Sequence, residues 1–316
     1  MKIVFMGTPD LAATVLDKLI QSEHEILAVV TQPDKPKGRG KQMQYPPVKE
    51  LALKYQIPVY QPRRVKEEEF MRVLQDINPE CIVVAAFGQI LPKALIDLPR
   101  YGCINVHASL LPKYRGSAPI QWSIINGEDK TGVTIMYMDI GIDTGDMILK
   151  EEVIIEPKET AGTLQDKLAL CGGNLLLKAL KAIEHGTAVR EKQNDEESTY
   201  VKMLDKSLGH IDFSRSAIEI ERLIRGLNPW PSAYTFLDGK TFKIWDASAQ
   251  TGESENHKDN NSGKPGEILE VTKESILVQT GNGRLILHEV QLEGKKRLSV
   301  DIFLRGFHVP AGTILS

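Results

Sequence analysis

Hydrophobic positions along this chain fall into two textures. From residue 1 to about 188, short continuous apolar runs alternate with amphipathic stretches. The runs at 2–6 (KIVFM), 25–31, 58–60, 81–86 (CIVVAA), 103–107 (CINVH), 132–138 and 147–155 predict strands, and CIVVAA has the unbroken apolarity of a buried parallel strand. Helical spacing predicts helices over 11–21, 47–55, 66–76, 118–126 and 160–185, with Asp10 as N-cap of the first. This alternation predicts an α/β domain over 1–188: a Rossmann-like, mostly parallel sheet with helices on both faces. Residues 189–206 are polar and without period and read as a linker. Beyond 207 the texture changes. A helix over 215–226 is stopped by Pro229 and Pro231, and short alternating runs follow at 232–237, 241–248, 266–271, 275–280 and 284–291. With a last helix at 299–306, they predict a C-terminal OB-like β-barrel over 207–316. The Ser/Asn/Gly-rich stretch 251–265 reads as a variable insertion.

Composition narrows the class. A chain of 316 residues, 41% hydrophobic and 26% charged, has room for two ordinary soluble domains. A net charge of -3 leaves any nucleic-acid contact to local patches. Cys81, Cys103 and Cys171 form no CxxC pair, which argues against a zinc site or disulfide framework and suits a reducing cytosol. MKIVFMGTPD is a first strand and turn rather than a signal peptide, and the apolar stretch 80–98 is broken by Gly88, Gln89, Pro92 and Lys93, so it is no membrane span. Gly7 has no GxGxxG behind it, which leaves a dinucleotide-dependent oxidoreductase unsupported. Asp139, Asp143 and Asp146 with Gly141 and Gly145 do not follow the EF-hand spacing, so no metal is expected.

The candidate chemistry lies at 103–116, CINVHASLLPKYRG. Asn105 and His107 are two apart, so a strand turns both to one face. Such a pair at a strand end suits chemistry at a carbonyl, with Asn donating to an oxyanion and His moving a proton; it is equally an ordinary polar pair on an edge strand. The Asp139–Asp146 loop presents a carboxylate at the sheet's end, Asp143 being the best placed. Phe87, Gly88, Gln89, Ile90, Leu91 and Pro92 form a loop with exposed backbone beside apolar side chains, suited to a flat heterocycle. In the loop 32–47, Lys35, Lys37, Arg39 and Lys41 recur at every second residue against the single acid Asp34. Such a loop cannot pack in a core and should be mobile; it is either a polyanion contact or a solvated linker. Lys295, Lys296 and Arg297 carry the same two readings.

Taken together, FMGTPD (5–10), TQPDKPKGRGK (31–41), AAFGQILP (85–92), NVHASLLPKYRG (105–116), DIGIDTGD (139–146) and LNPWPSAYT (227–235) resemble the 10-formyltetrahydrofolate-dependent formyltransferases. The resemblance implies transfer of a formyl group from 10-formyltetrahydrofolate to the α-amine of methionyl initiator tRNA, by a cytoplasmic enzyme working as a monomer. It implies catalytic roles for Asn105, His107 and Asp143. It implies a folate pocket from Phe87–Pro92, from Ser109, Leu110, Leu111 and Pro112, and from Asp139, Ile140 and Gly141 through Asp143. Lys35, Lys37, Arg39 and Lys41 would clamp the tRNA acceptor end, with Arg39 the best single candidate. Formyltransferases acting on glycinamide ribonucleotide or an amino-sugar nucleotide are the nearest rivals; a small substrate explains neither the basic loop nor the second domain.

Overall fold

The computed structural model describes residues 1–37, 42–251 and 263–316, without the side chains of Lys37 and Gln42. Arg39, Lys41 and most of the 251–265 stretch lie outside the described residues. The chain forms two compact units. One comprises Met1–Pro119, Lys130–Ile154 and Gln165–Val201, the other Ile120–Asp129, Ile155–Leu164 and Lys202–Ser316.

The first unit opens with β1 (Lys2–Gly7), α1 (Asp10–Ile20) and β2 (Glu25–Val30). Pro9, not Asp10, occupies the cap position; Asp10 falls in the first turn, where its charge still suits the helix dipole. Residues 32–47 depart from the expected unstructured loop: β3 (Lys35–Lys37) and β4 (Gln42–Gln44) pair as an antiparallel ribbon. Lys49 pins its root, bonding both Asp34 carboxylate oxygens at 2.9 and 2.7 Å and Gln61 Oε1 at 2.8 Å. Then come α2 (Pro47–Lys54), β5 (Val59–Tyr60), α3 (Glu68–Ile77), β6 (Cys81–Ala85), a short α4 (Lys93–Ile96), β7 (Cys103–His107) and β8 (Arg115–Gly116). Past α5 (Pro119–Ile125), which from Ile120 on belongs to the second unit, the chain returns with β9 (Lys130–Tyr137), β10 (Met147–Ile154), α6 (Ala161–Glu184), whose first turn is also in the second unit, and β11 (Tyr200–Val201).

The main sheet has the order β10-β9-β7-β6-β1-β2-β5, parallel from β7 to β5, with β9 and β10 added antiparallel. Alternate residues feed two layers. Val4, Met6, Ile82 and Val84 meet Phe70 and Leu74 of α3 and Leu95 and Ile96 of α4. On the other face α6 lies so close that a Cβ on Gly172 would be 2.8 Å from Val106 Cγ1, which is why a 24-residue helix carries a glycine at its centre. Each large apolar side chain buried here contributes about 1.5–3 kcal/mol of transfer free energy. Among the described residues no helix is long and apolar enough to cross a membrane.

The second unit is antiparallel. It holds α7 (Ala217–Gly226), β12 (Ala233–Leu237), β13 (Lys240–Gln250), β14 (Ile268–Val271), β15 (Ile276–Gln279), β16 (Arg284–Leu292), β17 (Leu298–Ser299) and α8 (Val300–Gly306). The strands run in the order β12-β13-β16-β15-β14, and the final residues join the two edges. Phe236 and Ser316 exchange backbone hydrogen bonds of 3.0 and 3.3 Å on the β12 side, while Leu315 N–H donates to Gly266 at 2.8 Å beside β14. The sheet thus closes on itself around Phe242, Ile244, Leu285, Leu287 and Val290.

A reciprocal cap starts α7. Ser216 Oγ accepts from Glu219 N–H, and the Glu219 carboxylate accepts from Ser216 N–H at 3.0 Å. Arg215 and Ser216 together hold the Glu219 carboxyl down to about 2. Ser216→Ala is expected to cost about 1 kcal/mol in denaturant unfolding. Because the folded pKa is depressed, the stability that Glu219 contributes is present above pH 4.5 and is lost as pH falls toward 2. The difference between the Glu219→Gln variant and the unsubstituted protein should therefore shrink across that window.

Candidate active site

The order of strands reverses between β6 and β1, the position at which open α/β sheets bind ligands. Thr8 Oγ1 and Gln32 Nε2 both donate to the Phe87 carbonyl there, at 3.3 and 3.1 Å. One strand further along, Asn105 and His107 sit at the end of β7, 8% and 6% exposed.

Asp143 joins them from the loop that follows β9, facing the end of β7. β9 is antiparallel, and Tyr137 lies opposite Ile104 at the start of β7. The following loop leans back, and Asp143 reaches the pair from there with a left-handed φ of 55°. Its Oδ1 accepts from Asn105 Nδ2 at 3.4 Å; its Oδ2 accepts from Gly116 N–H at 2.9 Å and faces His107 Nδ1 at 3.6 Å. The other two acids of the loop are spent locally. Asp139 accepts from Gly141 N–H and Thr144 Oγ1, and Asp146 pairs with Arg190 at 3.1 Å.

His107 Nε2 lies 2.9 Å from the Tyr114 carbonyl. A carbonyl only accepts, so Nε2 carries the proton and the Nδ1 lone pair of the neutral ring faces Asp143. Protonation at Nδ1 would place an imidazolium between a carbonyl and a carboxylate. Asn105 spends one amide N–H on Asp143 and keeps another for a developing oxyanion.

Three residues that no sequence signal singled out hold this cluster. Arg115, 1% exposed, donates from Nε to Gln193 Oε1 at 3.0 Å, from one terminal nitrogen to Tyr200 OH at 3.0 Å and from the other to Asp195 at 2.8 Å. Gln193 in turn donates to the carbonyls of Asp143 and Gly145, both at 2.8 Å. Tyr114 N–H donates to Thr199 Oγ1 at 2.8 Å. Segment 189–206, read as a linker, therefore carries β11, parallel to β8, and touches the loops around the cluster. Arg115 lies within the 103–116 stretch but was given no role there; Gln193, in a polar run, offered no signal.

The remaining predicted residues divide. The Ser109 hydroxyl is fully buried and donates to the Lys113 carbonyl, and Leu111 packs with Met136 and Met147, so both shape the loop from inside. Leu110 lies against Gly132, and Pro112 follows a cis bond. Phe87 and Leu91 belong to the core, and the Gln89 amide is tied to Val65 N–H and the Arg63 carbonyl. Gly88 takes a φ of 81° that turns the loop, and Pro92 caps α4. Ile90 and Ile140 are 81% and 74% exposed, leaving large aliphatic surface on both loops. Lys35 is exposed on the β3–β4 ribbon. Lys295 and Lys296 are exposed, whereas Arg297 pairs with Glu289 and covers the Trp245 ring at 4.7 Å. The basic sets thus lie apart from the cluster in sequence. Burial pushes the Cys81 thiol up to about 12, raises Cys103 further and brings Cys171 to about 11, so none is a poised thiolate. Among the described residues no group of His, Cys, Asp and Glu could hold a metal ion.

The comparisons agree on one family. Residues 1–180 match the family described as formyl transferase, and residues 203–308 match its C-terminal domain. The methionyl-tRNA formyltransferase of Agathobacter rectalis is 54% identical over 316 residues, covering 100% of both chains. That of Clostridioides difficile is 52% identical over 315 residues, with 100% of both covered. The solved structure of WlaRD, a sugar 3N-formyl transferase in the presence of dTDP and 5-N-formyl-THF, superposes with TM-score 0.66 at 21% identity, covering 94% of this chain and 99% of that one. HypX from Aquifex aeolicus in complex with tetrahydrofolic acid gives TM-score 0.64 at 17% identity, covering 96% of this chain and 47% of that one.

The tautomer argument is directly measurable. Nitrogen-15 spectra of the neutral His107 ring should show the proton on Nε2; a proton on Nδ1 would break the bond to Tyr114.

Proposed function

The chain belongs to the formyl transferase family, and from that premise we propose that it moves the formyl group of 10-formyltetrahydrofolate onto methionyl initiator tRNA by direct attack of the amine. The observation that carries this reading is the convergence of Asn105, His107 and Asp143 in one buried cluster. The full-length relatives from Agathobacter rectalis and Clostridioides difficile support the choice of acceptor.

The α-amine adds to the formyl carbon and the carbonyl oxygen becomes an oxyanion. Asn105 donates its free N–H to that oxygen, and protonated His107 adds positive charge beside it. The amine's proton passes through a water to Asp143. As the bond from carbon to N10 breaks, His107 gives its Nδ1 proton to N10, leaving tetrahydrofolate. Transfer of the proton from Asp143 to His107 restores the start. No acyl-enzyme is needed, in keeping with the raised thiols.

The folate lies over the 87–92 and 139–143 loops, against the open faces of Ile90 and Ile140, with the 109–112 loop beside it. The basic loop of Lys35, Lys37, Arg39 and Lys41 and the Lys295–Arg297 cluster take the tRNA backbone. We assign catalysis to residues 1–188 with the packed segment 189–201, and tRNA binding to 207–316. The reading implies a monomer working in the cytoplasm, since both substrates come from solution.

Asn105→Ala and His107→Ala should each lower single-turnover formyl transfer about 10²–10³-fold while melting normally. Wild-type turnover in either variant removes that residue from the mechanism. Binding of methionyl initiator tRNA should weaken steeply with salt, and neutralising Lys35, Lys37, Arg39 or Lys41 should each reduce the slope of log affinity against log salt by roughly 1. A slope that no substitution changes would take the basic loop out of the tRNA interface.

A further inference from the structure

Segment 193–201 is more than a connection, and its chemistry converges on one imidazole. We infer that Gln193 and Arg115 are positioning residues for the formyl transfer: they hold Asp143, and through β8 and β11 the Tyr114 carbonyl, in register on either side of His107. This rests on the roles given above to His107 and Asp143.

Asp143 adopts a left-handed backbone, a conformation that costs a non-glycine residue of order 1–3 kcal/mol and persists where neighbours over-determine it. The neighbours are identifiable. Gln193 Nε2 holds the carbonyls of Asp143 and Gly145, the residues on either side of Thr144, at 2.8 Å each. The amide cannot flip without loss, because its oxygen accepts from Arg115 Nε at 3.0 Å. Arg115 is buried and spends its two terminal nitrogens on Tyr200 and Asp195 of the same segment. The next backbone N–H, that of Gly116, holds the Asp143 carboxylate at 2.9 Å. One guanidinium thus fixes the amide that holds Asp143's backbone, and the strand that carries it supplies the donor to Asp143's side chain.

The other side of the ring is held by the same segment. Tyr114, also left-handed with a φ of 60°, offers its carbonyl to His107 Nε2. Its N–H goes to Thr199 Oγ1, and the neighbouring Arg115 N–H goes to the Thr199 carbonyl at 2.8 Å. The Tyr114 carbonyl and the Asp143 carboxylate fix the orientation of the ring, and residues 193–201 hold both of them.

The test uses the full chain. Gln193→Ala removes the amide, and Gln193→Glu keeps an acceptor for Arg115 but turns an oxygen toward the two carbonyls. Asp143→Ala alone and the Gln193→Ala/Asp143→Ala double variant complete a cycle, followed by single-turnover transfer of labelled formyl and by KM for methionyl initiator tRNA. Both Gln193 variants should lower kcat about 10–100-fold, the loss that a small misplacement of a catalytic group produces. KM for the tRNA should stay within about threefold, melting temperature should hold, and Gln193→Ala should cost nothing further once Asp143 is alanine. Wild-type kcat in either Gln193 variant overturns the proposal. So does an undiminished loss from Gln193→Ala in the Asp143→Ala background, since Gln193 would then act elsewhere. Wild-type turnover in Asp143→Ala overturns the catalytic reading of Asp143, and the proposal with it.

Discussion

A buried imidazole needs partners on both nitrogens, and the two partners of His107 decide what it can do. The Tyr114 carbonyl fixes the proton on Nε2, and the Asp143 carboxylate faces Nδ1 at 3.6 Å. Neither partner lies on the strand that carries the ring. One comes from the loop after β7, the other from the loop after β9, which returns along an antiparallel strand. The parallel sheet supplies a rigid base for Asn105 and His107, buried in the sheet from Cys103 onward. The loops supply the chemistry, as is usual where rigid scaffolds carry binding segments.

Those loops carry left-handed backbone on either side of the ring. Tyr114 and Asp143, with φ of 60° and 55°, both flank His107. Left-handed backbone at two non-glycine positions persists only under external restraint. Within Gly145 the restraint is steric as well, since a Cβ there would lie 1.9 Å from the Tyr137 carbonyl oxygen. The buried Arg115 is the third unusual element. Its charge is tolerated because each guanidinium nitrogen has a partner, and Asp195 at 2.8 Å keeps its own carboxylate mostly in solvent.

The sequence made the sheet legible because continuous apolar runs such as CIVVAA and periodic helices are local signals. Asn105 and His107 were legible for the same reason: spacing of two on a strand needs no knowledge of the rest of the chain. The face that Asp143 approaches from was not, because it depends on β9 running antiparallel. The pairing of Lys35–Lys37 with Gln42–Gln44 and that of β8 with β11 were also hidden. Strands of two or three residues have no period to detect, and their partners can be far off: Arg115 and Tyr200 bond across 85 positions. The closure of the second sheet by Leu315 and Ser316 rests mainly on backbone groups, with the Thr235 hydroxyl on the Ser316 carbonyl and the buried Leu315 side chain, and such groups leave little trace in residue type. The exposure of Ile90 and Ile140 is likewise a property of the fold, since the same side chains would suit a core.

The separation in sequence between the cluster and its supports has a consequence for the order of events in synthesis. All seven strands of the main sheet have been made once Ile154 leaves the ribosome, and α6 can cover them once Glu184 does. The acid, the ring and the amide are all present by then. Yet the groups that hold them, from Gln193 to Val201, emerge later and must close loops of 48 to 85 residues to reach their places. A nascent chain can therefore have a finished scaffold while the hydrogen bonds around Asn105, His107 and Asp143 are still incomplete, and these close only as β11 docks on β8.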